Sequence, residues 1–143
     1  MYEAPLGAAV NKRGAAMARV RYAPVHPNPD QAGALGGRGE GVVTWVFNEE
    51  AGTAEGLLRT PLAFLNDTRL APNAAVGLHP HPDTEEIYYL LEGALTLTTM
   101  LADGSVHAEM LGPGDAHLVR IGQSHAAEAG PEGCRMIVLA MRE

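Results

Sequence analysis

The amino-acid sequence predicts an all-β protein built from many short antiparallel strands. Of its 143 residues, 17 are glycine, 10 are proline and 46% are hydrophobic, a composition that favours strands joined by tight turns over long helices. Runs of β-branched and aromatic residues such as Val42–Phe47 alternate with turn signals, among them the hairpin-forming pair Asp103-Gly104. The length suits a single domain with its own core. Evenly spaced antiparallel strands indicate a β-sandwich or a β-barrel.

The chain divides into an irregular N-terminal arm, residues 1–40, and a barrel, residues 41–143. The arm is rich in Gly, Pro and Ala, and within it Lys12–Tyr22 is a candidate edge strand. Short helical turns are expected within 7–19 and 49–58. The strands expected in the barrel are Val42–Phe47, Leu62–Leu70, Ala75–His79, Glu86–Leu91, Ala94–Leu101, Ser105–Leu111, Ala116–Arg120, His125–Glu128 and Arg135–Met141. Turn signals that include Glu92-Gly93 and residues 130–133 separate them.

Charge and hydropathy exclude several classes of partner. The formal net charge of −7 argues against nucleic acid and anionic membranes as partners. The sequence has no apolar window of the length needed for a membrane-spanning helix. Its first ten residues contain Glu3 and lack the basic-then-apolar order of a signal peptide, so a cytoplasmic location is expected. The single cysteine, Cys134, precedes an apolar run and is expected to be a packed core thiol.

The segment from Gly77 to Glu86 carries the residues most suggestive of chemistry. His79 and His81 are two positions apart, and in an extended strand such residues point to the same face. Both imidazoles can therefore face one ion, with Glu86 returning from the next strand and a further imidazole available at His125. Three neutral nitrogens and a carboxylate suit a divalent first-row transition metal.

These residues also fit a known motif, and the sequence resembles the cupin superfamily. The first cupin motif is a glycine, five residues, HxH, three or four residues, a glutamate, six residues and a glycine. His79, His81, Glu86 and Gly93 fit it, while the opening glycine falls at Asn73, the residue type that best tolerates a left-handed backbone after glycine.

The second cupin motif, P-x-G-x-x-H-x-x-x-N, is matched in part. Gly122 and His125 occupy their places, but Arg120 stands where the motif has proline and Ala129 where it has asparagine. The resemblance spans about residues 60–141 and includes all four ligand positions.

The resemblance implies a double-sheet jelly-roll barrel, the double-stranded β-helix, with one divalent transition metal. The ligand set it implies is His79, His81, Glu86 and His125. Mn or Fe is favoured, and Ni, Co and Zn remain possible. No organic cofactor site is expected. Glu85 could replace Glu86 at the motif's other spacing, although only Glu86 has the right distance to Gly93.

Other residues could line the cavity around the ion. If Glu86 points inward, Tyr88 does too, because the two are two positions apart; its hydroxyl could then meet a substrate or be purely structural. His117 could act as an acid or base, or be a hydrogen-bonded structural histidine. Arg69 and Arg120 could pair with a substrate carboxylate or be solvated at the surface.

Two further histidines are expected to have no part in the site. His26 lies among prolines in an extended loop. His107 alternates with Ser105 and Glu109 on the polar face of a strand.

The leading functional hypothesis is a metal-dependent enzyme acting on a small oxygen-rich molecule, either a hydroxy or keto acid or an enediol. Dioxygenase-type or decarboxylase-type chemistry comes first. The alternatives are a metal-assisted isomerase or lyase that does not use dioxygen, and a ligand-binding cupin without turnover. A homodimer is expected, because a lone barrel leaves a sheet edge and apolar outer residues uncovered. Candidate contacts are Ile87, Tyr89, Leu91 and the N-terminal segment up to Tyr22.

Overall fold

The computed structural model describes residues 9–25 and 35–143. In these residues the chain forms a short 3-10 turn, Gly14–Ala16, and eight strands. The strands are β1 (Ala18–Tyr22), β2 (Gly41–Asn48), β3 (Leu62–Leu70), β4 (Ala75–Pro80), β5 (Thr84–Met100), β6 (Val106–Leu111), β7 (Ala116–Val119) and β8 (Ser124–Arg142).

The pairings of β5 and β8 organise the fold. Both strands are long, and they pair antiparallel with each other along nearly their whole length. The first half of β5 also pairs with β7, and the second half of β8 with β3, which continues through β2 to β1. The other halves of β5 and β8 pair with β6 and β4. The antiparallel strands thus form the two facing layers of the expected all-β jelly roll.

Two predicted turns are bends inside long strands. The strands expected at 86–91 and 94–101 are one strand, β5, and those expected at 125–128 and 135–141 are one strand, β8. Gly93 and Gly133 have φ values of 81° and 77°, and the β5–β8 register shifts on both sides of Gly93. At these points each strand passes from one layer to the other, as bulged corner strands do. Gly93 and Gly133 therefore mark corners within continuous strands and not turns between separate strands.

Asn73 has the conformation that the motif's opening glycine implies. Its φ is 59°, in the left-handed region, and no other described non-glycine residue has a positive φ. Its backbone N–H donates to the Gly130 carbonyl at 3.1 Å, so the turn before β4 is tied to the corner of β8.

The N-terminal strand was predicted correctly and one helical turn was not. Part of the segment expected as an edge strand forms β1, which pairs with β2. The helical turn expected within 49–58 is absent there, because the buried Glu49 carboxylate holds the segment as a loop. That carboxylate accepts hydrogen bonds from the N–H groups of Gly56, Leu57 and Leu58 at 3.0, 2.9 and 3.3 Å.

The core lies between the two layers. Its largest fully buried apolar side chains are Leu90, Leu95, Met136 and Val119. Cys134 is buried in one cluster with Leu90, Leu95 and Met136, which confirms a packed core thiol. Burial raises the pKa of this thiol to about 11. In the described residues, none of the helical structure is long and apolar enough to cross a membrane.

Candidate metal centre

The four candidate ligands lie on strands β4, β5 and β8 and directly after β4. His79 lies near the end of β4, and its partner across the strand pair is His125 at the start of β8. His81 follows β4, where its N–H donates to Gln123 and its carbonyl accepts from Gly122. Glu86 lies early in β5, and burial of Glu86 and exposure of Tyr89 agree with the alternation of faces.

The ligand atoms of these residues converge on one point. One atom from each of His79, His81, Glu86 and His125 lies within 4.8 Å of all the others. The His125 Nε2 atom is 3.0 Å from His81 Nε2, 3.1 Å from His79 Nε2 and 3.3 Å from a Glu86 oxygen. The cluster could therefore hold a metal ion.

The outer nitrogens of two of the imidazoles indicate that this donor set fits a metal. His79 Nδ1 lies 2.7 Å from the Gly77 carbonyl. A carbonyl can only accept, so Nδ1 carries the proton, which leaves Nε2 as the atom of this ring that can bind an ion. His81 Nδ1 is 3.0 Å from the Thr84 hydroxyl. Converging lone pairs repel one another unless a cation lies between them, and such bonds at the other nitrogen are typical of metal-bound histidines.

The carboxylate of Glu86 is held in its ionised form. Burial by itself raises its pKa, but the hydrogen bond to His125 and the charges of the three histidines outweigh burial and lower the pKa below the ordinary value. The ligand set therefore includes one negative oxygen donor at neutral pH.

Tyr88 lies beside the cluster as a neutral hydroxyl. It is buried, and its ring centroid is 5.3 Å from that of His125. Burial raises the pKa of Tyr88 well above its ordinary value, and the charge of Glu86 and a hydrogen bond to it add to the effect. The sequence expectation that Tyr88 shares the inward face with Glu86 agrees with this arrangement.

His117 contacts the candidate ligand His125 on the side of its ring that faces away from the cluster. Its Nε2 atom lies 3.0 Å from His125 Nδ1, and the two rings are stacked with centroids 5.2 Å apart. The pKa of His117 is lowered to about 4, mainly by burial and to a smaller extent by the nearby charge of His125. His117 is therefore neutral near pH 7. It contacts His125 but does not line the cavity that opens over the cluster.

A cavity of about 400 Å³ opens over the cluster. His79, His81, Glu86 and Tyr88 line its polar side, together with Asn66, whose amide oxygen accepts a hydrogen bond from Thr68 at 2.8 Å. Its other wall is apolar and aromatic, including Val43, Trp45, Phe64, Val76, Met136 and Val138. No Lys or Arg occurs among the described residues of this lining.

Sequence reasoning did not identify Glu50 as a residue of this cavity. Glu50 lines the cavity. Its pKa is raised mainly by partial burial and also by the negative charge of Glu86. No pattern in the sequence indicated its position, because it depends on the loop that Glu49 holds in place. Asn66 and Thr68, two positions apart on β3, also line the cavity.

Several other candidates lie away from the cluster. The carboxylate of Glu85 is 3.8 Å from Arg120, and Arg69 is 3.6 Å from Glu92. Both arginines are exposed and do not line the cavity. His107 is exposed on β6, as expected of a residue outside the site. The prediction for His26 falls outside the described residues.

The family model for the Cupin domain matches residues 66–140, more than half of the chain. The chain is a cupin. The match begins on β3 and ends on β8, so it includes all four candidate ligands of this cupin.

Relatives of this cupin include one curated protein and several solved structures. A protein of Zymomonas mobilis named "Putative quercetin 2,3-dioxygenase" is 40% identical over 58 residues, which are 36% of this chain and 25% of that protein. A predicted oxalate decarboxylase from Thermotoga maritima has a TM-score of 0.69 at 20% identity, covering 94% of this chain and 100% of the other.

The oxalate decarboxylase of Bacillus subtilis has a TM-score of 0.67 at 20% identity, covering 95% of this chain and 30% of the other. At such identities the structural likeness shows the fold alone. The matched segments are a quarter of the curated relative and under a third of the B. subtilis enzyme.

Proposed function

We propose that this cupin is a metal-dependent enzyme that uses dioxygen to oxidise a small neutral enediol, a molecule with hydroxyl groups on two adjacent sp² carbons. The observation that supports it most is the convergence of four ligand atoms within 4.8 Å beside a cavity of about 400 Å³. Mn or Fe bound by His79, His81, Glu86 and His125 would supply a Lewis acid and a redox centre. Four protein ligands would leave room for a bidentate oxygen pair.

The charge of the cavity favours an enediol over a hydroxy or keto acid. A substrate carboxylate removed from water needs a cationic partner or several donors. The described lining has no Lys or Arg, and it carries the carboxylates of Glu50 and Glu86. Arg69 and Arg120, the two candidates for pairing with such a group, have acidic neighbours outside the cavity. A neutral substrate meets none of these penalties.

The side chains of the cavity have distinct proton-handling roles in this proposal. Glu50, whose pKa is raised, is suited to take the proton that an enediol hydroxyl releases on binding. The Tyr88 hydroxyl stays protonated and donates to Glu86, so it orients that carboxylate. The apolar wall that contains Trp45 and Phe64 excludes water from the reacting carbons.

Metal-assisted isomerisation or elimination without dioxygen is a second candidate function. It is favoured by the Glu50 carboxyl group, whose pKa is raised, while Glu86 belongs to the ligand set. A carboxyl group with a raised pKa is suited both to take up and to return a proton. In this case Glu50 would move a proton between adjacent substrate carbons.

Oxygen uptake by the metal-loaded protein tests the proposal. An oxygen electrode should record uptake with a neutral enediol such as catechol, and none with oxalate, pyruvate or glycolate. Replacement of His79 and His81 together by Ala should abolish uptake. The matched control is His107→Ala, an exposed histidine outside the site, which should keep the parent rate.

The other outcomes would each contradict the proposal. Uptake with the acids alone would move the substrate class to hydroxy or keto acids. Turnover of an enediol without oxygen consumption would favour the isomerase or lyase. Binding without turnover of either class would indicate a ligand-binding cupin.

A further inference from the structure

A second cavity lies against the N-terminal strand. Its volume is about 740 Å³, larger than the 400 Å³ cavity over the candidate ligands. It lies between the segment Asn11–Tyr22, strand β2 and the loop that follows β2. We refer to it below as the outer compartment.

The outer compartment adjoins the cavity over the ligands. Tyr22, Trp45 and Glu50 line both of them. Trp45 is held in position by Phe64 of the inner cavity, whose ring it meets edge to face at 5.3 Å. These shared side chains lie at the boundary of the two spaces, so a ligand that extends past them contacts both.

The register of the sheet explains why the two spaces share a surface. Residues directly opposite one another on paired strands lie on the same face of a sheet. One such row runs from β1 to β5 through Ala18, Trp45, Asn66, Val138 and Tyr88. Each step is about 4.8 Å. The face that carries Tyr88 at the candidate metal site therefore continues to Ala18 in the outer compartment.

The wall of the outer compartment at β1 and the residue before it is apolar and accessible. Met17 contributes to it together with Ala18 and Val20 of β1, and Val20 is 37% exposed. The cation of Lys12 in the same wall is already engaged, since its Nζ atom lies 2.6 Å from Glu55 and 4.5 Å from the centre of the Phe47 ring. An apolar group bound here would cover exposed hydrophobic surface without stripping water from that charge.

We propose that the outer compartment binds the apolar tail of the same substrate whose oxygen pair lies at the candidate metal site. The inference rests on the proposed function for the oxygen pair and adds the substrate class: an enediol head carrying an alkyl or aryl tail. The tail passes between Trp45 and Tyr22 and ends against Ala18 and Val20. A small enediol without a tail fills only the inner cavity.

A chain-length series of 4-alkylcatechols tests this inference. Affinity for the Co²⁺-loaded protein is measured by calorimetry from catechol to 4-octylcatechol. In the parent protein affinity should rise by up to about fourfold per methylene group as the tail lengthens. Ala18→Phe, which fills the outer compartment from β1, should stop this rise at a shorter chain and leave the affinity for catechol unchanged.

The matched control is Ala108→Phe, at an exposed alanine of β6, which should keep the full rise. A parent affinity that does not increase with tail length would overturn the inference, as would a rise that Ala18→Phe leaves intact. If catechol itself still binds tightly, either of these two results rejects the inference about the tail but not the proposed function. Failure of catechol itself to bind the metal-loaded protein would reject the proposed function and this inference together.

Discussion

His117 and His125 are joined side chain to side chain, with His117 Nε2 at 3.0 Å from His125 Nδ1. The contact uses the ring nitrogen of His125 that faces away from the other candidate ligands, while His125 Nε2 faces His79 and His81. If the Nδ1 atom of His125 donates to His117, the Nε2 lone pair of His125 points at the ion. His117 is then a positioning residue for a ligand.

Metal affinity should therefore fall in graded steps when these residues are replaced. His117→Ala should weaken binding by about 10–100-fold, the usual effect of losing a hydrogen bond to a ligand, and His117→Gln should restore part of it by accepting from Nδ1. His125→Ala should weaken binding further but leave some ion bound at high concentration. Replacing His79 and His81 together should abolish binding. Titration with the preferred metal measures each step.

The melting curve of each apo variant serves as the control, because the fold should survive without the metal. If His125→Ala binds metal as tightly as the parent, His125 is not a ligand.

The apo-protein should lose stability as pH falls from 6.5 toward 4, in part because of His117. The pKa of His117 is about 4 in the folded protein, whereas in the unfolded chain it takes the ordinary value of 6.5. The unfolded chain therefore binds more protons between these two pH values. Stability then rises with pH across this window and is fully recovered above it. Urea unfolding at pH 7 and pH 4.5 should show a smaller loss for His117→Gln than for the parent. Equal losses would mean that His117 titrates alike in both states.

Replacement of Gly93 should damage the corner of β5 more than a conformational penalty alone explains. A Cβ atom there would collide with the Gly133 carbonyl and lie 2.8 Å from the Cys134 Cα. Gly104 has a similar φ, 86°, with nothing within 4 Å of such a Cβ. Gly104→Ala should therefore cost about 1–2 kcal/mol for the left-handed backbone, and Gly93→Ala about 1–3 kcal/mol more for the collision.

Chemical denaturation of the two variants measures that difference. Equal losses of unfolding free energy would show that the corner relaxes around the added methyl group.

The chain is expected to form a homodimer through its outer face. Tyr89 is 46% exposed and Leu118 is 48% exposed, and Leu118 pairs across the strands with Ile87, two residues from Tyr89. Burying this patch would cover apolar surface. Light scattering should give twice 15.0 kDa for the parent and a lower mass for Leu118→Lys, with Val106→Lys on β6 as the control. A parent that scatters only as a monomer at micromolar concentration would contradict this.

The sequence was sufficient to predict the features that depend on local spacing. The two-residue separation of His79 and His81 and of Glu86 and Tyr88 fixes which side chains share a face, and the strand pairs then bring them together. The glycines at 93 and 133 predict turns, because a glycine that supplies a positive φ is typical of turns and of strand corners alike. Only the pairing of β5 with β8 distinguishes the two.

Other parts of the site depend on contacts between distant segments. Glu50 enters the cavity because Glu49 binds the backbone of the loop, and nothing in the local pattern of two adjacent glutamates indicates this. Likewise, the continuation of the inner face onto Ala18 follows from the register of β1 on β2. Such register is set by cross-strand packing, which a single strand's sequence does not specify.

Elemental analysis of protein purified without chelator or added metal tests the central claim most directly. We predict about one transition-metal ion per chain in the parent, and none when His79 and His81 are both replaced by Ala. Occupancy near zero in the parent that Mn, Fe, Co, Ni or Zn does not restore would contradict the account.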